Sequence, residues 1–585
     1  MFPFGYQPIE PTTWAYVSSL LMLALFFKFN RFWSVRNFDL VLIVLVAPGL
    51  LLVHYGANPP SVIIQRFEVM QDEELQTDLR APPLPGDGTS DRMGVIRPTL
   101  RAGEQADRNP ASLVGSLSTD RPSATRFAES TLRGNATARL RQDRADTAPA
   151  LTDENVGNVE NEDVTAADDD VDDLGEGDEG DREISDSGNR PPSLTPLEEW
   201  RRRTQRRGFL YLFIVAAVWL VRMLIDPSLT KKPFLEANLS IGGLAFLVGS
   251  LMVFLFANLI ASRSVSEDIY GPRDAVKMIQ GQEFDVEHLK KFGPGYAFFH
   301  FLPTFSTFAN DRQMLREDAD DVGKLHKYEI AAKTMAIISQ IAIVLALIYF
   351  GKTHFNDLAT GIGMAAIYLM LPYTSQMSGR VMHLLPAALL LWSIAAYRIP
   401  LLSGVLLGLA GSVAYYPLFL IPLFVSFYWF SGRSRFVSGL LAAIVLAIAS
   451  LWVTSGSLAE AFSQLRGMFA FWWPQSENLE GIWSLGWPPI YRMPFIAGFV
   501  ALAITFAAWP NEKTLGSLIG CSCAAMIAVQ FWHGFGGGLY VGWYMPLALL
   551  VFFRPNLDDL TAENRVRRRP RYWGRDKSSD SLAAV

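Results

Sequence analysis

Apolar runs of about 15 to 23 residues recur through most of the chain, and this repetition leaves few folds open to it. In a bilayer only a helix or a closed barrel satisfies its own backbone polar groups, and a helix needs about 20 apolar residues to cross the hydrocarbon. Half of the 585 residues are hydrophobic, so spans rather than soluble domains are the natural unit. The first two runs, 14–29 and 38–55, flank a short turn with Lys28, Arg31 and Arg36. No basic region precedes the first run and no small-residue cleavage site follows it, which predicts a retained span rather than a signal peptide. Pro48 and Gly49 in the second run are compatible with a kinked membrane helix.

Between about 82 and 196 the composition changes. Pro, Gly, Ser, Thr, Asp and Glu dominate, and the part from 153 to 181 is strongly acidic, with Asp168, Asp169, Asp170, Asp172 and Asp173 close together. Such a segment has too little apolar area to offset its ordering entropy, which predicts a disordered, solvated insert. It also explains why the net charge of -6 is misleading: an acidic insert is averaged with a basic, apolar remainder. The acidic run lacks the glycine and terminal glutamate of an EF-hand, so a repelling spacer is preferred to a calcium site. Cys521 and Cys523 have no metal partners at ligand spacing and read as small core residues. The chain divides into an N-terminal transmembrane hairpin (1–60), a polar acidic segment (61–200), a third span with its loop (201–238), a membrane core (239–555) and a basic tail (556–585).

The charge bias of membrane loops orients the spans. The basic tail, with Arg565, Arg567, Arg568, Arg569 and Arg571, belongs in the cytoplasm. Alternating sides upstream through runs ending at 539–553, 515–533, 495–509, 436–454, 417–430, 401–414, 384–397, 359–374 and 334–350 puts Arg398, Arg433 and Arg435 inside and everything from 262 to 333 outside. With the runs 209–225 and 239–261, and the first two, this predicts an all-α polytopic protein of about 13 transmembrane helices, N-terminus out and C-terminus cytoplasmic. The basic knot at 201–207, RRRTQRR, is the outlier, since this count leaves it outside.

Polar and aromatic groups crowd at the ends of spans, in 262–303, 376–383 and 464–494, while mid-span charge is scarce after 334. That distribution favours chemistry at headgroup level over transport through the centre of the bundle. The first of these stretches carries Glu267, Asp268, Tyr270, Gly281, Gly293, Pro294, Tyr296 and Pro303 in an order that resembles the first outer loop of GT-C glycosyltransferases, especially the bacterial polyprenyl-phosphate-mannose-dependent branch. Gly404, Gly408 and Pro417 resemble that branch's later span pair, and Asn478, Leu479, Glu480 and Gly481 its Asn-Ser-Leu-x-Gly loop. The likeness covers about 239–555. Arg380 stands where the branch often has Gln, and Tyr415 and Tyr416 where it has Lys.

The resemblance implies a GT-C-like core, a hexose, such as mannose, carried on a polyprenyl-phosphate donor, a saccharide, lipid or protein acceptor, inversion at the sugar, and no cofactor. Asp268 is the expected general base, with Glu267 beside it. A carboxylate within hydrogen-bond reach can take the proton of an attacking hydroxyl. The leaving phosphate is already anionic and needs cations or hydrogen bonds, for which Arg273 and Arg380 are candidates. Tyr296, Trp472 and Trp473 are candidates to stack on sugar or lipid, and Tyr270, His383, Asn478 and Glu480 to bind substrate. Neither His300 nor His383 has a metal-ligand set nearby. Residues 292–308 are too short for a span and read as an interfacial or re-entrant helix. Two other classes stay open: a lipid-linked saccharide transporter or flippase, for which no internal repeat is visible, and a non-enzymatic envelope protein that binds through the acidic insert. No nucleic-acid signal is present, because the basic clusters flank spans.

Overall fold

The computed structural model describes residues 9–67, 69–70, 195–226, 237–262, 264, 266–282, 292–308, 321–454, 459, 462 and 479–566. All of them belong to one unit, Met1–Leu79 with Pro192–Val585; the other unit, Arg80–Pro191, and with it most of the expected acidic spacer, lies outside the described residues. Every described apolar run is helical. In order the helices are α1 (Pro11–Phe26), α2 (Val35–Ala57), α3 (Pro196–Ile225), α4 (Ile241–Ala261), α5 (Ser266–Gln280), α6 (Pro294–Phe308), α7 (Asp321–Thr353), α8 (Leu358–Met370) and α9 (Pro372–Gln376). They continue with α10 (Val381–Ala395), α11 (Pro400–Val413), α12 (Ile421–Phe427), α13 (Arg433–Thr454), α14 (Arg492–Ala508), α15 (Leu515–Val529), α16 (Met545–Phe553) and α17 (Ala562–Arg565). Among the described residues, six helices (α2, α3, α4, α7, α13 and α14) are long and apolar enough to cross a membrane, the pattern of an integral membrane protein. Seven further apolar helices have 10–17 residues, α12 and α16 being counted with the 3-10 turns that lead into them (Tyr416–Phe427 and Val541–Phe553), so helix length alone does not extend the six to thirteen.

Local chemistry sets the helix ends. α3 starts on a reciprocal cap: the Glu198 N–H donates to Thr195 Oγ1 and the Thr195 N–H to the Glu198 carboxylate. Pro196 at the first position needs no partner for its missing N–H. The basic knot forms the first turns of this same helix rather than a loop before it. Ser34 caps α2 and Ser240 caps α4 in the same way, through their hydroxyls.

Small residues bring helices close. A side chain at Gly404 of α11 would collide with the Phe436 carbonyl of α13, and one at Gly439 with the Leu401 carbonyl, so the two backbones touch at these positions. α2 and α3 approach through Gly49, Gly56 and Gly208.

Contacts sort the helix ends into two groups. At one end Lys28 Nζ meets Asn238 Oδ1 at 2.8 Å, and a buried ion cluster joins α2, α3 and the segment after α16. There Arg222 grips both Asp39 oxygens at 2.7 and 2.8 Å and Asp226 at 3.2 Å, while Arg554 holds Asp226 at 2.6 Å. At the other end Arg201 donates to the Ala57 carbonyl at 2.7 Å, Gly293 N–H to the Val413 carbonyl at 3.0 Å, and Trp543 Nε1 to the Met382 carbonyl at 2.9 Å. The basic knot therefore lies at the same end of the helices as Asp268.

Candidate functional site

The acidic pair is not on a loop, as expected, but in the first turn of α5. Two carboxylates at a helix N-terminus are favoured by the unsatisfied N–H groups there, so the sequence that looked like a flank also starts a helix. α5 then carries Pro272 within it and ends at Gly281, whose φ of 67° suits glycine.

Glu267 and Asp268 meet Arg380, which stands in the turn between α9 and α10. Arg380 Nη1 donates to Glu267 Oε2 at 3.0 Å, and its Nε lies 3.7 Å from Asp268 Oδ2. The two carboxylates keep the guanidinium charged, raising an already high pKa against the cost of its burial. Asp268 is 6 % exposed, whereas the Glu267 side chain is 40 % exposed, so the two neighbours face different surroundings. Asp268 and Arg380 line a cleft of about 450 Å³, and Glu267 stands outside it. The cleft is walled by α4 (Asn258, Leu259), by the turn after α9 and by the N-terminal hairpin.

The other expected residues fall at varied distances from that cleft. Tyr270 is half-buried, edge-on to Phe292 at 6.3 Å. Tyr296 is buried on α6, stacked on Phe292 at 4.8 Å and 4.5 Å from the His300 ring, and neither Tyr296 nor His300 lines the cleft. Gly271 of α5 lets these two rings approach its backbone. His300 Nδ1 bonds the Tyr296 carbonyl at 2.8 Å; burial depresses the imidazole to about 4, that hydrogen bond opposing. Tyr296 Oη, His300 Nε2 and Thr304 Oγ1 make a buried polar row one helical turn apart, with no hydrogen-bond partner among the described residues.

His383 lies behind Arg380 on α10. Its Nδ1 shares a 2.6 Å hydrogen bond with Tyr373 Oη, and its ring stacks on Tyr540 at 4.3 Å. Arg273 is exposed on α5 and does not line the cleft. Glu480 is exposed, and its N–H donates to the Gly534 carbonyl at 2.8 Å. Trp472, Trp473 and Asn478 lie outside the described residues. The structure thus joins Glu267, Asp268 and Arg380 directly; His383 packs on Tyr373 and Tyr540 without lining the cleft, and Arg273 is held apart.

Two contributors were not singled out in the sequence. The segment between α15 and α16, FWHGFGGGLYVGW at 531–543, turns through Gly536 and Gly538, both at positive φ, brings Leu539 to the cleft and stacks Tyr540 on His383 at 4.3 Å. Its glycines and lone His533 were the available signal. Arg492 is the second: it is buried, and its guanidinium donates to the Trp532 carbonyl at 3.0 and 3.1 Å.

Among the described residues no group of three or more His, Cys, Asp or Glu side chains could hold a metal. Comparison with protein-family models and with curated proteins returns no match for this chain.

Proposed function

We propose that this protein is a membrane glycosyltransferase of the GT-C type that moves a hexose from a polyprenyl-phosphate donor to an envelope acceptor, with inversion. The observation that carries the reading is the recessed Asp268 carboxylate held beside Arg380 on the wall of the cleft. An acceptor hydroxyl entering the cleft attacks the anomeric carbon as Asp268 takes its proton. The new bond is anomeric carbon to acceptor oxygen, and the bond broken is anomeric carbon to phosphate oxygen. The electron pair leaves with the lipid phosphate, so no general acid is required. Arg380 positions the carboxylate, and its remaining N–H groups offer a fork for phosphate oxygens. In this reading all thirteen apolar helices cross a bacterial inner membrane, the cleft opens on the outer face, the N-terminus is outside and the C-terminus is cytoplasmic. The acceptor is a saccharide, a lipid or a protein of the envelope.

The test is Asp268→Asn in isolated membranes supplied with polyprenyl-phosphate sugar. Transfer is expected to fall by about 10²- to 10⁴-fold, the usual contribution of a general base, at unchanged expression. Unchanged transfer refutes the assignment. Transport of labelled lipid-linked saccharide without chemistry would instead establish the transporter class.

A further inference from the structure

The N-terminal hairpin lies outside the stretch that resembles GT-C enzymes, yet it forms one wall of the cleft. Leu50, Val53, His54 and Ala57 of α2 all line it, at the i, i+3, i+4, i+7 spacing of a single helix face. The adjoining face of the same helix, through Gly49, Val53 and Gly56, is packed on α3, so the hairpin has a fixed seat and Val53 stands at the edge between the two faces. Asn258 of α4 also accepts a hydrogen bond from the Ile9 N–H at 3.2 Å, which fixes the entry to α1 beside the cleft.

The chemistry of that wall is divided. Leu50, Val53 and Ala57 are apolar, and His54 brings an imidazole to the last turn of the helix. Among the described residues lining the cleft, Arg380 and His54 carry the basic side chains, and Arg380 is engaged by Glu267 and Asp268. The His54 ring makes no hydrogen bond to the protein among the described residues; its ring neighbour is Tyr55, 6.1 Å away. A ligand that is part hydrocarbon and part anion matches this wall: chain against Leu50 and Val53, anionic oxygen against the imidazole N–H.

We infer that α2 is a working wall of the cleft and that His54 hydrogen-bonds the phosphate of a lipid phosphate whose chain lies along Leu50 and Val53. This rests on the donor class of the reading above, but it concerns binding and is tested without chemistry. Purified full-length protein is titrated with three probes: a polyprenyl monophosphate, inorganic phosphate, and the uncharged polyprenol. The wild type is expected to bind the polyprenyl monophosphate more tightly than either of the others.

His54→Ala is expected to weaken polyprenyl monophosphate about tenfold, the worth of one hydrogen bond to a charged group. His54→Gln, which keeps an N–H donor, is expected to recover most of the loss, and polyprenol binding should be unchanged in both. An unchanged affinity in His54→Ala overturns the proposal. So does an equal loss for polyprenol, which would make the contact apolar, or a wild type that binds inorganic phosphate as well as the lipid. A protein that binds through His54 but shows no sugar transfer even as wild type keeps this inference and removes the transferase reading, whereas intact transfer by Asp268→Asn keeps this inference and removes Asp268 as the base.

Discussion

Replacing Arg222 with methionine tests what holds the hairpin to the core. Among the described residues, Arg222, Asp39, Asp226 and Arg554 pair into a cluster with two positive and two negative groups, exposed by 8 %, 4 %, 1 % and 9 % respectively. The substitution keeps much of the apolar volume but removes three hydrogen bonds, at 2.7, 2.8 and 3.2 Å, and leaves the cluster with a net charge of -1. Removing one partner of a buried pair costs about 3–5 kcal/mol, mostly the penalty of stranding the remaining charge. Replacing a whole pair by apolar groups is often near neutral. Arg222→Met is therefore expected to lose about 3–5 kcal/mol, and Arg222→Met with Asp39→Leu to regain most of it, since Asp226 keeps Arg554 at 2.6 Å. The assay is reversible unfolding in mixed micelles, followed by tryptophan fluorescence. A loss below about 1 kcal/mol in the single variant refutes the buried-charge reasoning. A double variant no better than the single one shows that the cost comes from packing instead.

Two further outcomes follow from the same geometry. Gly404→Val pushes a side chain into the Phe436 carbonyl and should separate α11 from α13, lowering stability by about 1–3 kcal/mol or more in the same assay; an unaltered unfolding curve contradicts the backbone contact. His300 stays neutral in the fold down to about 4, while the unfolded chain titrates near 6.5, so the unfolded state binds the extra proton between those values. Its contribution to stability is constant above pH 6.5 and declines as pH falls towards 4, by roughly 3 kcal/mol in all, and His300→Phe should flatten that part of the stability profile.

Helix existence was legible in the sequence because an apolar run of fifteen or more residues has few alternatives, and the runs at 38–55 and 239–261 appear as α2 and α4 within a few residues. The start of α3 was misplaced. Charge drew attention to RRRTQRR as a flank, whereas the reciprocal Thr195 and Glu198 cap starts the helix five residues before Arg201. The acidic pair was expected on a loop because it follows directly on an apolar run, whereas it starts α5, a helix that packs on α6 and carries Pro272 within it. The neighbourhood of Asp268 and Arg380 was visible as two separate candidates, but not as a contact. They lie more than a hundred positions apart, and nothing in a single sequence encodes such a meeting. The part played by α2 was hidden for another reason: its cleft-facing side is mostly apolar, so it looked like any other span.

Arg201 and Ala57 are 144 positions apart in the chain, yet they share a 2.7 Å hydrogen bond. The two points between which the long segment runs thus lie side by side, where α2 ends and α3 begins. The entropy lost in closing such a loop grows only with the logarithm of its length, so doubling or halving the segment changes stability by about 0.6 kcal/mol. Its length is therefore nearly invisible to the folding of the helices on either side. Selection acting on what the segment does could lengthen, shorten or exchange it without redesigning the membrane protein that carries it.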